Sequence, residues 1–107
     1  MYAYERNILS KLVGNLRERF PGRIVAAYAF GSKVRGDNGE WSDFDVLLVV
    51  KNRNPSIEDE IMNVFVEEEL KSGLIFTPLI KDQRAFDSEK NLKTPFYENI
   101  THEGLGL

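Results

Sequence analysis

The stretch GSKVRGDNGEWSDFDVLLVV, Gly31–Val50, joins a glycine–serine pair to two carboxylates through an irregular loop. Gly31, Gly36 and Gly39 with Asp37–Asn38 mark the loop as turn-rich. It gives way to DFDVLLVV (Asp43–Val50), which turns wholly apolar at Val46. A run of this length and composition predicts a strand buried on both faces. Side chains two apart on a strand share a face, so Asp43 and Asp45 project together and Phe44 projects the other way.

Reading outward, RIVAAYAF (Arg23–Phe30) is short, apolar and bounded by glycines, and predicts a strand leading directly into Gly31. Before it, Ile8, Leu12, Leu16 and Phe20, with Leu9 and Val13 beside them, form one helical stripe that Pro21–Gly22 ends. After Val50, NPSIEDEIMNVFVEEELKSG predicts a helix with Ser56 as N-cap and Glu58, Asp59 and Glu60 at its positive end. Its expected stripe is Ile57, Ile61, Val64, Phe65 and Leu70, with Lys71 and Gly73 at the C-terminus. LIFTPLI (Leu74–Ile80) predicts a third strand. Pro78 cannot donate a ladder hydrogen bond, which confines that strand to a sheet edge or a bulge. Asp82 is placed to cap a short helix over Arg84–Asn91, and Thr94–Pro95 to open a last helix with Phe96, Tyr97 and Ile100 as contacts. The order is helix, strand, strand, helix, strand, helix, helix. It predicts a small mixed β-sheet packed with helices, of α/β or α+β class.

The 107 residues are enough for one domain, expected over 1–107. A hydrophobic content of 42% fits a folded chain. The net charge of −3 argues against strong non-specific nucleic-acid binding, which needs a basic field. The absence of cysteine excludes disulfides and thiolate metal sites. MYAYERN shows no charged-then-apolar leader pattern, and no apolar run approaches the ~20 residues that span a bilayer. A cytoplasmic, non-membrane protein is expected, and homo-oligomerisation is left open.

Two carboxylates on one face repel, by about 1 kcal/mol at 4 Å in water and about 4 kcal/mol at an effective dielectric of 20. A hard divalent ion turns that repulsion into coordination: Mg²⁺ takes one or two carboxylates and fills its shell with water and substrate phosphates. Asp43 and Asp45 are therefore the candidate metal ligands and catalytic residues. At the other end, Gly31 permits close backbone approach, and Ser32 can cap a helical turn whose N–H groups face an anion. Gly31, Ser32, Lys33 and Arg35 are the phosphate-binding candidates. Arg35 has a second reading as a partner of Asp37, and Trp41 either stacks on a base or anchors the loop. Glu67–Glu69 reads as a solvated helix face, His102 as a surface residue, and Tyr2 and Tyr4 as helix-packing residues.

With these residues in view, FGSKVRGDNGEWSDFDVLLVV resembles the signature of the DNA polymerase β-like nucleotidyltransferase superfamily, and most closely its minimal nucleotidyltransferase (MNT) family. TPFYENITHEGLGL resembles the usual C-terminal end of that family, so the resemblance spans nearly the whole chain. It implies a nucleotidyltransferase fold and nucleotidyl transfer from a triphosphate, typically ATP, with Mg²⁺ or Mn²⁺. It also implies that Gly31 and Ser32 hold the triphosphate and that Asp43 and Asp45 hold the metal. Many such proteins are antitoxins paired with a HEPN-type ribonuclease toxin, which some silence by transferring AMP to a tyrosine. Catalytic members commonly carry a third carboxylate on the later strand. LIFTPLI offers Thr77 or Pro78 there, with Asp82 just beyond as the replacement candidate. The alternative implied by that departure is a weak or inactive nucleotidyltransferase-fold module that neutralises its partner by contact.

Overall fold

The computed structural model describes residues 1–31, 34 and 43–107. Four strands form one mixed sheet: β1 (Ile24–Phe30), β2 (Phe44–Val50), β3 (Phe76–Asp82) and β4 (Leu105–Gly106), in the order β3-β2-β1-β4. β2 runs antiparallel to β1 and parallel to β3, and β4 runs antiparallel to β1. The class is α+β, as the order of elements predicts.

β2 lies inside the sheet, which explains its unbroken apolar run. Phe44, Val46, Leu48 and Val50 join the core beneath α1 (Ala3–Arg19) and α2 (Pro55–Ser72). Leu47 and Val49 face the other way, onto Phe86 of α3 (Gln83–Leu92) and Ile100 of α4 (Pro95–Glu103). In α1, Leu9, Leu12, Val13 and Leu16 are buried, with Ile8 and Phe20 at the rim of the core. The chain leaves α1 through Gly22 at φ 72°, a backbone angle that suits glycine.

Four details differ from the sequence expectation. Asn54, not Ser56, caps α2: its side chain accepts from the Ile57 N–H at 2.9 Å, and Pro55 fills the first helical position. Leu70 is 83% exposed, because five residues beyond Phe65 the helix has turned it out of the buried stripe. Tyr2 and Tyr4 are exposed and stack on each other at 5.9 Å instead of packing into the core. Finally, β3 begins at Phe76 and extends through Lys81 and Asp82, two residues later than LIFTPLI suggests, while β4 was not expected at all.

Other readings hold. Among the described residues β3 pairs with β2 alone, so Pro78 sits on an edge strand. Asp82 caps α3, and the Thr94 hydroxyl accepts from the Tyr97 N–H at the start of α4. His102 is exposed on α4. The solvated-face reading holds for Glu67, which is exposed and pairs with Arg19 at 3.6 Å, but not for Glu69, which is half-buried and accepts from the Phe76 N–H at 2.9 Å. No helix among the described residues is long and apolar enough to cross a membrane.

Candidate active site

The end of β1 and the start of β2 meet at one edge of the sheet. Phe30, the last residue of β1, is the cross-strand partner of Asp45. Gly31 follows at φ 88°, a conformation L side chains rarely adopt. A β-carbon built on Gly31 would lie 2.3 Å from Oδ2 of Asp45, so glycine is required there for space as well as for backbone angle. Thus the glycine of the Gly-Ser pair and the second carboxylate of the Asp pair touch.

On the other side, Asp45 is in register with Thr77 of β3. The Thr77 hydroxyl donates to Oδ2 of Asp43 at 3.0 Å. Asp43 is exposed just ahead of β2, and Asp45 is half-buried within it. Burial pushes the Asp45 carboxyl above the ordinary carboxylate range, and the negative charge of Asp43 adds to the rise. Among the described residues no cluster of three or more histidine, aspartate or glutamate side chains could hold a metal. A pair of carboxylates nevertheless suits Mg²⁺ or Mn²⁺ when substrate phosphates and water complete the shell. A bound cation would lower the electrostatic cost that now raises Asp45.

Thr77 stands in the row where a third acid would face Asp45, and it offers a hydroxyl only. Asp82 does not replace it. Five residues along β3 separate the two, about 16 Å at strand rise. Asp82 is also occupied, accepting from the Arg53 N–H at 3.0 Å and the Arg84 N–H at 3.1 Å. Those backbone N–H groups, Arg53's first, hold its carboxyl below the ordinary range. Ser32, Lys33, Arg35 and Trp41 lie outside the described residues, as does the loop that joins Gly31 to Asp43 apart from Val34.

A cavity of about 230 Å³ opens beside Gly31, lined by Phe30, Gly31, Phe96, Asn99, Ile100 and Glu103. Phe96 meets Phe30 edge-on at 6.5 Å. The sequence reading assigned α4 packing contacts only. The recurrence of Phe96, Asn99, Ile100 and Glu103 at helical spacing was the available sign that one face of α4 carries polar groups toward β1.

A family model described as a nucleotidyltransferase domain matches residues 9–98. A protein of Methanocaldococcus jannaschii named "Putative protein adenylyltransferase MJ0604" is 28% identical over 103 residues, 96% of this chain and 97% of that protein. Another from the same organism, "Putative protein adenylyltransferase MJ0141", is 32% identical over 78 residues, 71% of each chain. Among solved structures, the crystal structure titled as that of a "putative nucleotidyltransferase from Sulfolobus solfataricus" matches with a TM-score of 0.58. It covers 94% of this chain and 76% of the other at 21% identity, which is a likeness of fold.

Proposed function

This chain belongs to the nucleotidyltransferase domain family, and on that premise we propose that it is a metal-dependent enzyme transferring AMP from ATP to a protein side chain. The observation that carries the proposal is the contact of Gly31 with Asp45, which sets a phosphate-approachable turn against a carboxylate pair. The names of the Methanocaldococcus relatives support AMP as the transferred group and protein as the acceptor. The acceptor is a HEPN-type toxin, which makes this chain its antitoxin, a single minimal domain working in the cytoplasm.

In this reading Asp43 and Asp45 bind Mg²⁺ or Mn²⁺, and Gly31 with Ser32, Lys33 and Arg35 receives the triphosphate. The bound ion supplies charge neutralisation at the phosphates and lowers the barrier to displacement. The acceptor oxygen bonds to the α-phosphorus, pyrophosphate leaves, and the acceptor loses its proton. Thr77 holds Asp43 through its hydroxyl but is no base at neutral pH. Proton removal therefore falls to the partner or to solvent.

Thr77 in the row of a third acid is also the observation that favours the second reading, a nucleotidyltransferase-fold module that silences its partner by contact. Labelled ATP with Mg²⁺ or Mn²⁺, incubated with and without the cognate partner, separates the two. The enzyme gives an AMP mass increment on the partner by mass spectrometry, and little on the isolated chain. Inhibition of the partner with no such increment overturns the enzyme in favour of the binding module.

A further inference from the structure

Three large apolar side chains of α2 stay in solvent: Met62, Val66 and Leu70 are 40%, 49% and 83% exposed. Spaced every fourth residue, they form a stripe about 12 Å long on the side of the helix opposite its buried residues Ile57, Ile61, Val64 and Phe65. A contiguous apolar stripe on an otherwise charged helix marks an interaction surface. The stripe is symmetric about Val66, with Met62 one turn before it and Leu70 one turn after. Its charges are not symmetric. Glu60 stands near the start and Lys71 near the end, on the same flank, because the interval between them is close to three whole turns. Among the described residues neither forms an ion pair within the chain. On the Glu60 flank an open groove of about 440 Å³ is lined by Arg19, Phe20, Glu60, Asn63 and Glu67. Arg19 already pairs with Glu67 there, so the groove is short of one positive charge.

We propose that a second copy of this chain covers the stripe, by isologous, antiparallel pairing of α2 with its partner's α2. A two-fold axis at Val66 lays Met62 against the partner's Leu70 and Val66 against its own copy. The same axis brings the partner's Lys71 level with the groove at Glu60, once on each side of the dimer, and supplies the missing charge. Antiparallel helices also set their dipoles in the favourable, opposed sense. α2 packs on the sheet face that carries Phe44, Val46, Leu48 and Val50, whereas Asp45 falls with Leu47 and Val49 on the other. The candidate active sites therefore lie on the sheet face away from the pairing. One helix per copy buries less than the about 1,200 Å² of a standard interface, so the expected dimer is weak, with a dissociation constant in the micromolar range.

Analytical ultracentrifugation of the full chain from about 5 to about 500 µM tests the pairing. Wild type is expected to pass from monomer to dimer across that range. Val66→Glu places two like charges at the axis and should hold the chain monomeric. Glu60→Lys and Lys71→Glu each set like charges together twice per dimer and should weaken association by about tenfold. The double reversal Glu60→Lys/Lys71→Glu should restore it, and an equimolar mixture of the two single variants should associate although neither does alone. These positions are exposed, so the variants keep the fold, which thermal unfolding verifies. A wild type that is monomeric at every concentration assigns the stripe to another protein and overturns the proposal. A dimer indifferent to Val66→Glu, or single reversals that their combination does not rescue, overturns it too. Mg²⁺-dependent ATP binding should be equal in all the variants. A wild type that dimerises as described but binds no ATP upholds the pairing and overturns only the reading of the site.

Discussion

Gly31 and Asp45 are fitted so closely that a single methyl group on Gly31 would lie 2.3 Å from the Asp45 carboxylate. The contact welds the end of β1 to the second residue of β2. It predicts that Gly31→Ala is costly for two separable reasons. The positive φ alone costs about 1–2 kcal/mol, and the steric conflict adds to it. In Gly31→Ala/Asp45→Ala the second part disappears, so the double variant should be more stable than the sum of the single effects. Denaturant unfolding of wild type, both single variants and the double variant measures this, and strict additivity would contradict it.

The raised Asp45 carboxyl makes a pH prediction. A carboxyl easier to protonate in the folded than the unfolded chain favours folding at low pH. Its contribution is full below the ordinary carboxylate value of 3.8 and is lost as pH rises through the folded value. At neutral pH in EDTA, Asp45→Asn should therefore melt above wild type, and the gap should narrow as the pH falls into that window. Mg²⁺ at 100 times its dissociation constant should restore about 2.7 kcal/mol to wild type and much less to the variant.

Much of this arrangement is legible in the sequence because it rests on local rules. Apolar period and punctuation place α1, β1 and β2, and Pro78 marks the edge strand through the hydrogen bond it cannot make. The caps at Asp82 and Thr94 follow from residue type. What escapes depends on partners distant in the chain. β3 gains Lys81 and Asp82 only because Val49 and Val50 lie beside them, and polar residues do not advertise a strand. β4 is two residues, Leu105–Gly106, directly after Gly104, too short for any periodicity, and exists because β1 offers an edge at Tyr28 and Ala29. The spacing of Asp43 and Asp45 is readable; the contact of Asp45 with Gly31 and the bond from Thr77 to Asp43 require the register of three strands.

The cap of α2 gives a simple check on one such correction. Asn54→Ala removes the side chain that accepts from Ile57 and should cost about 1 kcal/mol. Ser56→Ala should be nearly neutral. Thermal unfolding of the two variants distinguishes them, and a larger loss at Ser56 would restore it as the cap.

Thr77 offers a test of how the site is short of an acid. Thr77→Val should weaken the positioning of Asp43 at a stability cost of at most about 1 kcal/mol. Thr77→Asp adds a third negative charge in register with Asp45. It should lower the melting temperature in EDTA, tighten Mg²⁺ binding and raise the transfer rate. A variant that binds Mg²⁺ no better than wild type would show that position 77 does not reach the ion.

The central claim is that Asp43 and Asp45 hold a divalent ion against the triphosphate at Gly31. Calorimetric titration of ATP into wild type and Asp43→Asn/Asp45→Asn, with and without Mg²⁺, tests it most directly. The predicted result is Mg²⁺-dependent binding to wild type that the double variant loses, although that variant melts no lower than wild type in EDTA. Equal ATP affinity in both proteins, with Mg²⁺ and without it, would contradict the claim.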